Sequence, residues 1–241
     1  QSDRYGFNNL DTVWDEDEIE YLIIGDSYAH GDCVKRQDNI AGNLEKLSNK
    51  NVLNLGYGGN GPLLDFASLR EYLPLVKVKK LLWIYTERND LSESNFGSEL
   101  KNDILINYLN NLNFTQNLFL KQDQVNDILR KAQNFEYKSY QKDLNIKKYQ
   151  IIKLFNVRNF LKNINLQKKN IELRISSDFK KLILLTKKLT DQNNIDLYFV
   201  YLPDSNRYKN NNFSKNTFSY DYEKILNYLN LLNIKVIDLH K

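Results

Sequence analysis

The feature that most constrains this chain is an alternation. Short apolar runs, each closed by a cluster of small or polar residues, are separated by stretches with helical spacing. YLIIG (21–25) runs into Gly25-Asp26-Ser27. NVLNL (51–55) runs into Gly56-Tyr57-Gly58-Gly59-Asn60-Gly61, and KKLLWIYT (79–86) into Glu87-Arg88-Asn89-Asp90. IDLYFVYL (195–202) and IKVIDL (234–239) supply two further runs. Helical patterns fall over 38–49, 62–74 and 219–232. The second opens on Pro62, whose missing N–H would be unpaired at a first helical position anyway. Apolar runs of this length between helical segments predict βαβ units, hence an α/β fold with a five-stranded parallel sheet.

Between the third and fourth runs the pattern is interrupted. About a hundred residues stand where a crossover needs only about 10–12. The spacing predicts a helical insert over about 91–193 within a single domain spanning 1–241. Leu154, Val157, Leu161 and Ile164 share one helical face, and Phe179, Leu182, Ile183 and Leu189 another. Ser176-Ser177-Asp178 suits the start of the latter helix. Apolar stripes must be buried, so the insert is expected to cap the sheet edge.

Composition closes off other classes. With 241 residues and 41% hydrophobic content the chain can bury one sizeable core. Cys33 is the single cysteine, so no internal disulfide forms. No apolar run approaches the length needed to span a bilayer, and no signal peptide is visible. The sequence contains no methionine, so it is expected to be a piece of a longer protein; an anchor upstream of Gln1 is then the one route to a membrane. Charge is uneven: residues 138–188 hold fourteen Lys or Arg against three acids, a net +11, while 11–20 is acidic. One reading is a basic face for an anionic glycan, lipid headgroup or nucleic acid. The preferred one is lysines solvating helices, with no nucleic-acid partner.

The three polar clusters carry the chemistry. In open parallel sheets, ligands bind in the crevice at the carboxyl ends of the strands, and the topology gathers all three clusters there. Ser27, at a strand-to-helix turn, suits a nucleophile for acyl transfer, with the following helix dipole favouring developing negative charge. An attacked ester carbonyl becomes an oxyanion and needs donors already aimed at it. The N–H groups of Ser27 and Gly59 and the side-chain amide of Asn89 are candidates. G-D-S-Y-A around Ser27 is not the G-x-S-x-G elbow of α/β-hydrolases. Bland readings stand beside these: Asp26 as a turn hydrogen-bonder, Asp90 as a helix cap, and His30 as a residue too local to act as base.

IIGDSYAHG, NLGYGGNGP and YTERND resemble the first three sequence blocks of the SGNH/GDSL hydrolases, an esterase and acyltransferase family. The resemblance implies Ser27 as nucleophile and Gly59 and Asn89 as oxyanion-hole residues, with no cofactor and no metal. Gly59 stands at the family position, five residues after Asn54. The implied fold is a flavodoxin-like three-layer α/β/α sandwich, and the implied substrate a small-molecule or glycan acyl ester, such as an O-acetylated glycan. An extracytoplasmic, envelope-facing location follows from the same likeness. There is one departure: Glu87 replaces the glycine of the usual G-x-N-D. The family also takes its base from an Asp-x-x-His block after the last strand. Asp238-Leu239-His240 is one residue too short for that block, so the pair is expected downstream of Lys241 and the fragment is expected to be nearly inactive.

Two rival readings use the same fold. Gly56, Gly58 and Gly61 spell G-x-G-x-x-G after a strand and before a helix, with Glu87 ending the next strand, the outline of a dinucleotide site. Pro62 removes one of the amides such a site would use. A non-catalytic glycan-binding relative would keep the fold and drop the chemistry.

Overall fold

The computed structural model describes residues 2–87, 89–124, 126–128, 130–131, 175–208 and 212–240, with side chains of 206–207 and 212–221 excepted. The chain divides into two compact units, residues 1–116 with 173–241, and residues 117–172. The first unit is built on five strands: β1 (Ile19–Gly25), β2 (Val52–Asn54), β3 (Val78–Thr86), β4 (Asp196–Leu202) and β5 (Lys235–Asp238). All are parallel, in the order β2-β1-β3-β4-β5. The chain therefore reverses its direction of travel across the sheet between β1 and β3, and a crevice opens at their carboxyl ends.

The helices that accompany the strands are α1 (Ser27–His30), α2 (Ile40–Ser48), α3 (Pro62–Tyr72), α4 (Phe96–Glu99), α5 (Asp103–Asn110), α6 (Ser177–Gln192) and α7 (Asn212–Leu231). None is long and apolar enough to cross a membrane. Local chemistry fixes their ends. Asn39 caps α2 by accepting from Gly42 N at 2.8 Å, and Asn49 closes it in the left-handed region at φ 54°. Ser176 caps α6 by accepting from Phe179 N at 3.1 Å.

Strand alternation divides the core between two faces, which gives the α/β/α sandwich. Ile23, Leu82, Ile84 and Val200 pack with Ala41, on α2, and Ala29 on one side. Trp83, Tyr85 and Phe199 turn to the other side, where the Phe179 ring of α6 lies 6.3 Å from Trp83 and 5.8 Å from Tyr85. Phe179 is fully buried, which stabilises the fold by about 2–3 kcal/mol. This corrects the expectation for 177–192. The helix carries the predicted stripe, but it forms a layer against the central strands rather than a cap at the edge. Residues 91–116 and 175–193 thus belong to the sheet unit, and the four-residue stripe at 154–164 lies outside the described residues.

The N-terminal segment braces the free side of β2. Asp3, buried, accepts from Tyr5 N, Phe7 N, Asn9 Nδ2 and Trp14 Nε1 at 2.8–3.0 Å. Asn9 then pairs with the Asn54 backbone in both directions at 2.9 Å, as a neighbouring strand would, and so closes the edge. Asn8 donates to His30 O at 2.9 Å, tying the same segment to the turn after β1.

Candidate active site

β1 ends on Gly25, whose φ of 150° and position against β3 leave no room for a side chain: a Cβ would stand 2.8 Å from Ile84 O. Asp26 caps the single turn of α1, and Gly31 ends it at φ 81°. Ser27 occupies the first position of that turn, half-buried. Its N–H has no intrahelical acceptor, and its hydroxyl has no partner among the described residues. A helix of one turn offers little macrodipole, so the expected dipole contribution shrinks to the local N–H groups.

Asp26 is the hub. It is 1% exposed; Oδ1 accepts from Tyr28 N at 3.0 Å and Thr86 Oγ1 at 3.2 Å, and Oδ2 accepts from Asn89 Nδ2. The expected turn-binding role is present and extends to the third cluster. Asn89 Oδ1 in turn accepts from Asn95 Nδ2 at 3.3 Å. A carboxylate can only accept, so the amide is oriented with its nitrogen toward Asp26. The second Nδ2 proton has no acceptor among the described residues.

The second cluster is tied to the same turn at three points. Asn54 donates to Ala29 O at 2.7 Å and accepts from Gly56 N at 2.9 Å, and Tyr57 N donates to Gly25 O at 3.0 Å. His30 Nδ1 donates to Gly56 O at 3.1 Å, its Nε2 lies 3.3 Å from Asp32 Oδ1, and its ring meets Tyr57 edge-on. Both nitrogens thus have local contacts. Residues 57–60 form a turn with Gly59 at φ 86°. A Cβ on Gly59 would find nothing within 4 Å, so this backbone faces open space, and its N–H has no acceptor among the described residues.

Beneath this surface lie buried acids. Asp90 does not cap a helix as expected; its Oδ2 accepts from Thr86 N at 2.8 Å, while Oδ1 has no partner among the described residues. Burial, reinforced by the neighbouring Asp26 and Asp65, pushes the Asp90 carboxyl well above its ordinary range. Burial likewise raises Asp65, which accepts from Asn60 Nδ2 at 3.2 Å. Both lie near Asp26, and Asp26, with its three donors, is the acceptor at the centre.

The dinucleotide reading meets a direct obstacle. The start of α3, where a pyrophosphate would sit, is taken by Glu99, whose carboxylate accepts from Gly61 N at 2.7 Å and Leu63 N at 3.0 Å. Glu87, which would reach a ribose, is buried and accepts from Tyr201 Oη at 2.5 Å and Asp204 N at 2.9 Å. The protein occupies both halves of that site itself. The same contacts explain the Glu87 departure: the side chain ties the end of β3 to the end of β4.

Among the predicted residues, Ser27 and Asn89 are joined through Asp26, and the Gly59 turn is anchored to α1. His240 stands apart. β5 lies three strand spacings from β1, about 14 Å. His240 Nδ1 bonds Tyr208 Oη at 2.9 Å; Asp238 accepts from His240 N at 2.9 Å and from the Tyr222 hydroxyl. The Asp238 carboxylate therefore does not orient the His240 ring. Asn95 and Glu99 carry no sequence signal that singles them out. Among the described residues no group of three or more His, Cys, Asp or Glu is placed to hold a metal ion.

No protein-family model matches the chain, and no curated protein sequence matches it. Its structure is similar to that of a protein from Desulfitobacterium hafniense DCB-2 assigned to a lipolytic G-D-S-L family. The two share 13% identity at a TM-score of 0.45, over 92% of this chain and 77% of that one. A likeness this distant speaks to no residue role.

Proposed function

We propose that this chain carries the nucleophile and oxyanion-binding residues of an SGNH-type serine esterase or acyltransferase, acting on acyl esters such as O-acetyl groups on a glycan. Ser27 Oγ attacks the ester carbonyl, and the oxygen that becomes negative is held by Ser27 N–H, Gly59 N–H and the second Nδ2 proton of Asn89. Collapse of the tetrahedral intermediate expels the alcohol and leaves the acyl group on Ser27, for transfer to water or to a hydroxyl. The observation that supports this reading most is the Asp26–Asn89 hydrogen bond. It ties the amide of the third cluster to the residue next to Ser27 and leaves an N–H unspent. Neither His30, whose Nδ1 bonds Gly56 O, nor His240, whose Nδ1 bonds Tyr208, bonds the Ser27 hydroxyl, and this reading assigns the Ser27 proton to a group outside the described residues.

The test is hydrolysis of p-nitrophenyl acetate by the full-length protein. Ser27→Ala brings turnover down to the blank. Unchanged turnover in that variant contradicts the reading and favours a binding relative or a different nucleophile.

A further inference from the structure

Asn95 stands at the N-cap of α4, the position where asparagine is among the best residues because its side chain can accept from the first helical N–H groups. Here it makes no such hydrogen bond. Its backbone, at φ −103° and ψ −99°, lies outside the common regions, and its side chain turns instead to donate to Asn89 Oδ1 at 3.3 Å. A residue that forgoes its own cap in an unusual backbone conformation has been recruited to something else. We infer that Asn95 is a positioning residue that fixes the Asn89 amide with its nitrogen toward the substrate, an inference that rests on the esterase reading of the site.

The physical need is specific. An amide has two faces of opposite polarity, and a flipped Asn89 would present its oxygen to the developing oxyanion. Asp26, an acceptor, and Asn95, a donor, each enforce the same orientation from opposite ends of the group. Holding the donor in place before reaction removes the reorganisation that would otherwise accompany charge development. Asn95 itself is held from below: its N–H donates to Ser92 O at 3.2 Å, and its carbonyl accepts from Glu99 N at 3.0 Å and Ser98 N at 2.9 Å. Glu99 is the residue that caps α3, so the start of α3, α4 and the Asn89 amide form one connected frame.

The experiment is a double-mutant cycle on the full-length protein with p-nitrophenyl acetate. Asn95→Ala lowers kcat about three- to tenfold with KM unchanged, and has no further effect in an Asn89→Ala background. Asn95→Asp, which turns an acceptor toward Asn89 Oδ1, loses more than Asn95→Ala. An equal loss in both backgrounds, or a change in KM alone, overturns the assignment. A second readout does not depend on turnover: in a proton–nitrogen correlation spectrum, Asn95→Ala shifts the Asn89 side-chain NH2 pair and speeds its exchange. An unmoved pair overturns the assignment. Activity surviving in Ser27→Ala, with the Asn89 signal still moved by Asn95→Ala, would sink the esterase reading alone.

Discussion

The carboxyl edge of the sheet has two polar regions, and they differ in what is left over. At the end of β4 and β5, His240 bonds Tyr208, and Asp238 takes the Tyr222 hydroxyl and the His240 N–H; both tyrosine rings also pack on the histidine. Side chains of catalytic type occur there, yet they are spent on one another. At the ends of β1 and β3, Asp26 gathers Tyr28, Thr86 and Asn89, while the Gly59 N–H, one Asn89 proton and the Ser27 hydroxyl have no partner among the described residues. Donors held rigidly and left unpaired are what a charge-developing reaction uses. On the proposed reading, unspent donors point to the site better than the count of titratable groups does.

Breaking that contrast at its strongest point has the largest effect. Asn89→Ala lowers kcat by about 10²–10³ with KM nearly unchanged, because the lost hydrogen bond belongs to the transition state. Steady-state kinetics with p-nitrophenyl acetate measure it. A rise in KM alone would make Asn89 a ground-state binder.

A middle-sized effect concerns the acids beneath the β1–β3 region. The folded-state pKa of Asp90 is raised above the ordinary 3.8 by burial. The stability such a group contributes is fully present below its unfolded pKa and is lost as pH rises through the raised value. Asp90→Asn keeps a carbonyl to accept from Thr86 N and never ionises. It therefore raises Tm relative to wild type at pH 7–8, by about 2–4 °C for each kcal/mol relieved, and the difference closes toward pH 4. Thermal melts across that range decide it; a Tm gap independent of pH would contradict the assignment.

The smallest effect sharpens the comparison from the other side. His240→Phe retains the ring that packs between Tyr208 and Tyr222 and removes the hydrogen bond. Turnover of p-nitrophenyl acetate stays within about twofold, since this histidine follows β5, three strand spacings, about 14 Å, from β1, and its Nδ1 bonds Tyr208. Abolished turnover would make His240 the base.

Much of this arrangement was legible in the sequence because its signals are local. Apolar runs closed by Gly25-Asp26-Ser27 and by Gly56 to Gly61 place strand ends within a residue or two, and the topology then brings the clusters together. Long-range partners left no such trace. Glu99 caps α3 from 38 residues away, and no pattern around FGSE announces it. The stripe of α6 identified a helix correctly, yet a stripe says only that a face is buried, not which surface buries it. The rings of Trp83 and Tyr85, not the sheet edge, receive Phe179. Glu87 looked like damage to a motif and proved to be a strut between β3 and β4 once its partners Tyr201 and Asp204 were in view.

The central claim, that Ser27 is a nucleophile set before pre-aimed donors, is tested most directly by trapping the acyl-type adduct. The full-length protein is incubated with a fluorophosphonate, digested, and the modified peptide located by mass spectrometry. The account predicts a single stoichiometric adduct on Ser27, formed more slowly in Asn89→Ala because the same donors hold the phosphonyl oxygen. An adduct on another residue, or none on Ser27 in protein that turns over p-nitrophenyl acetate, contradicts it.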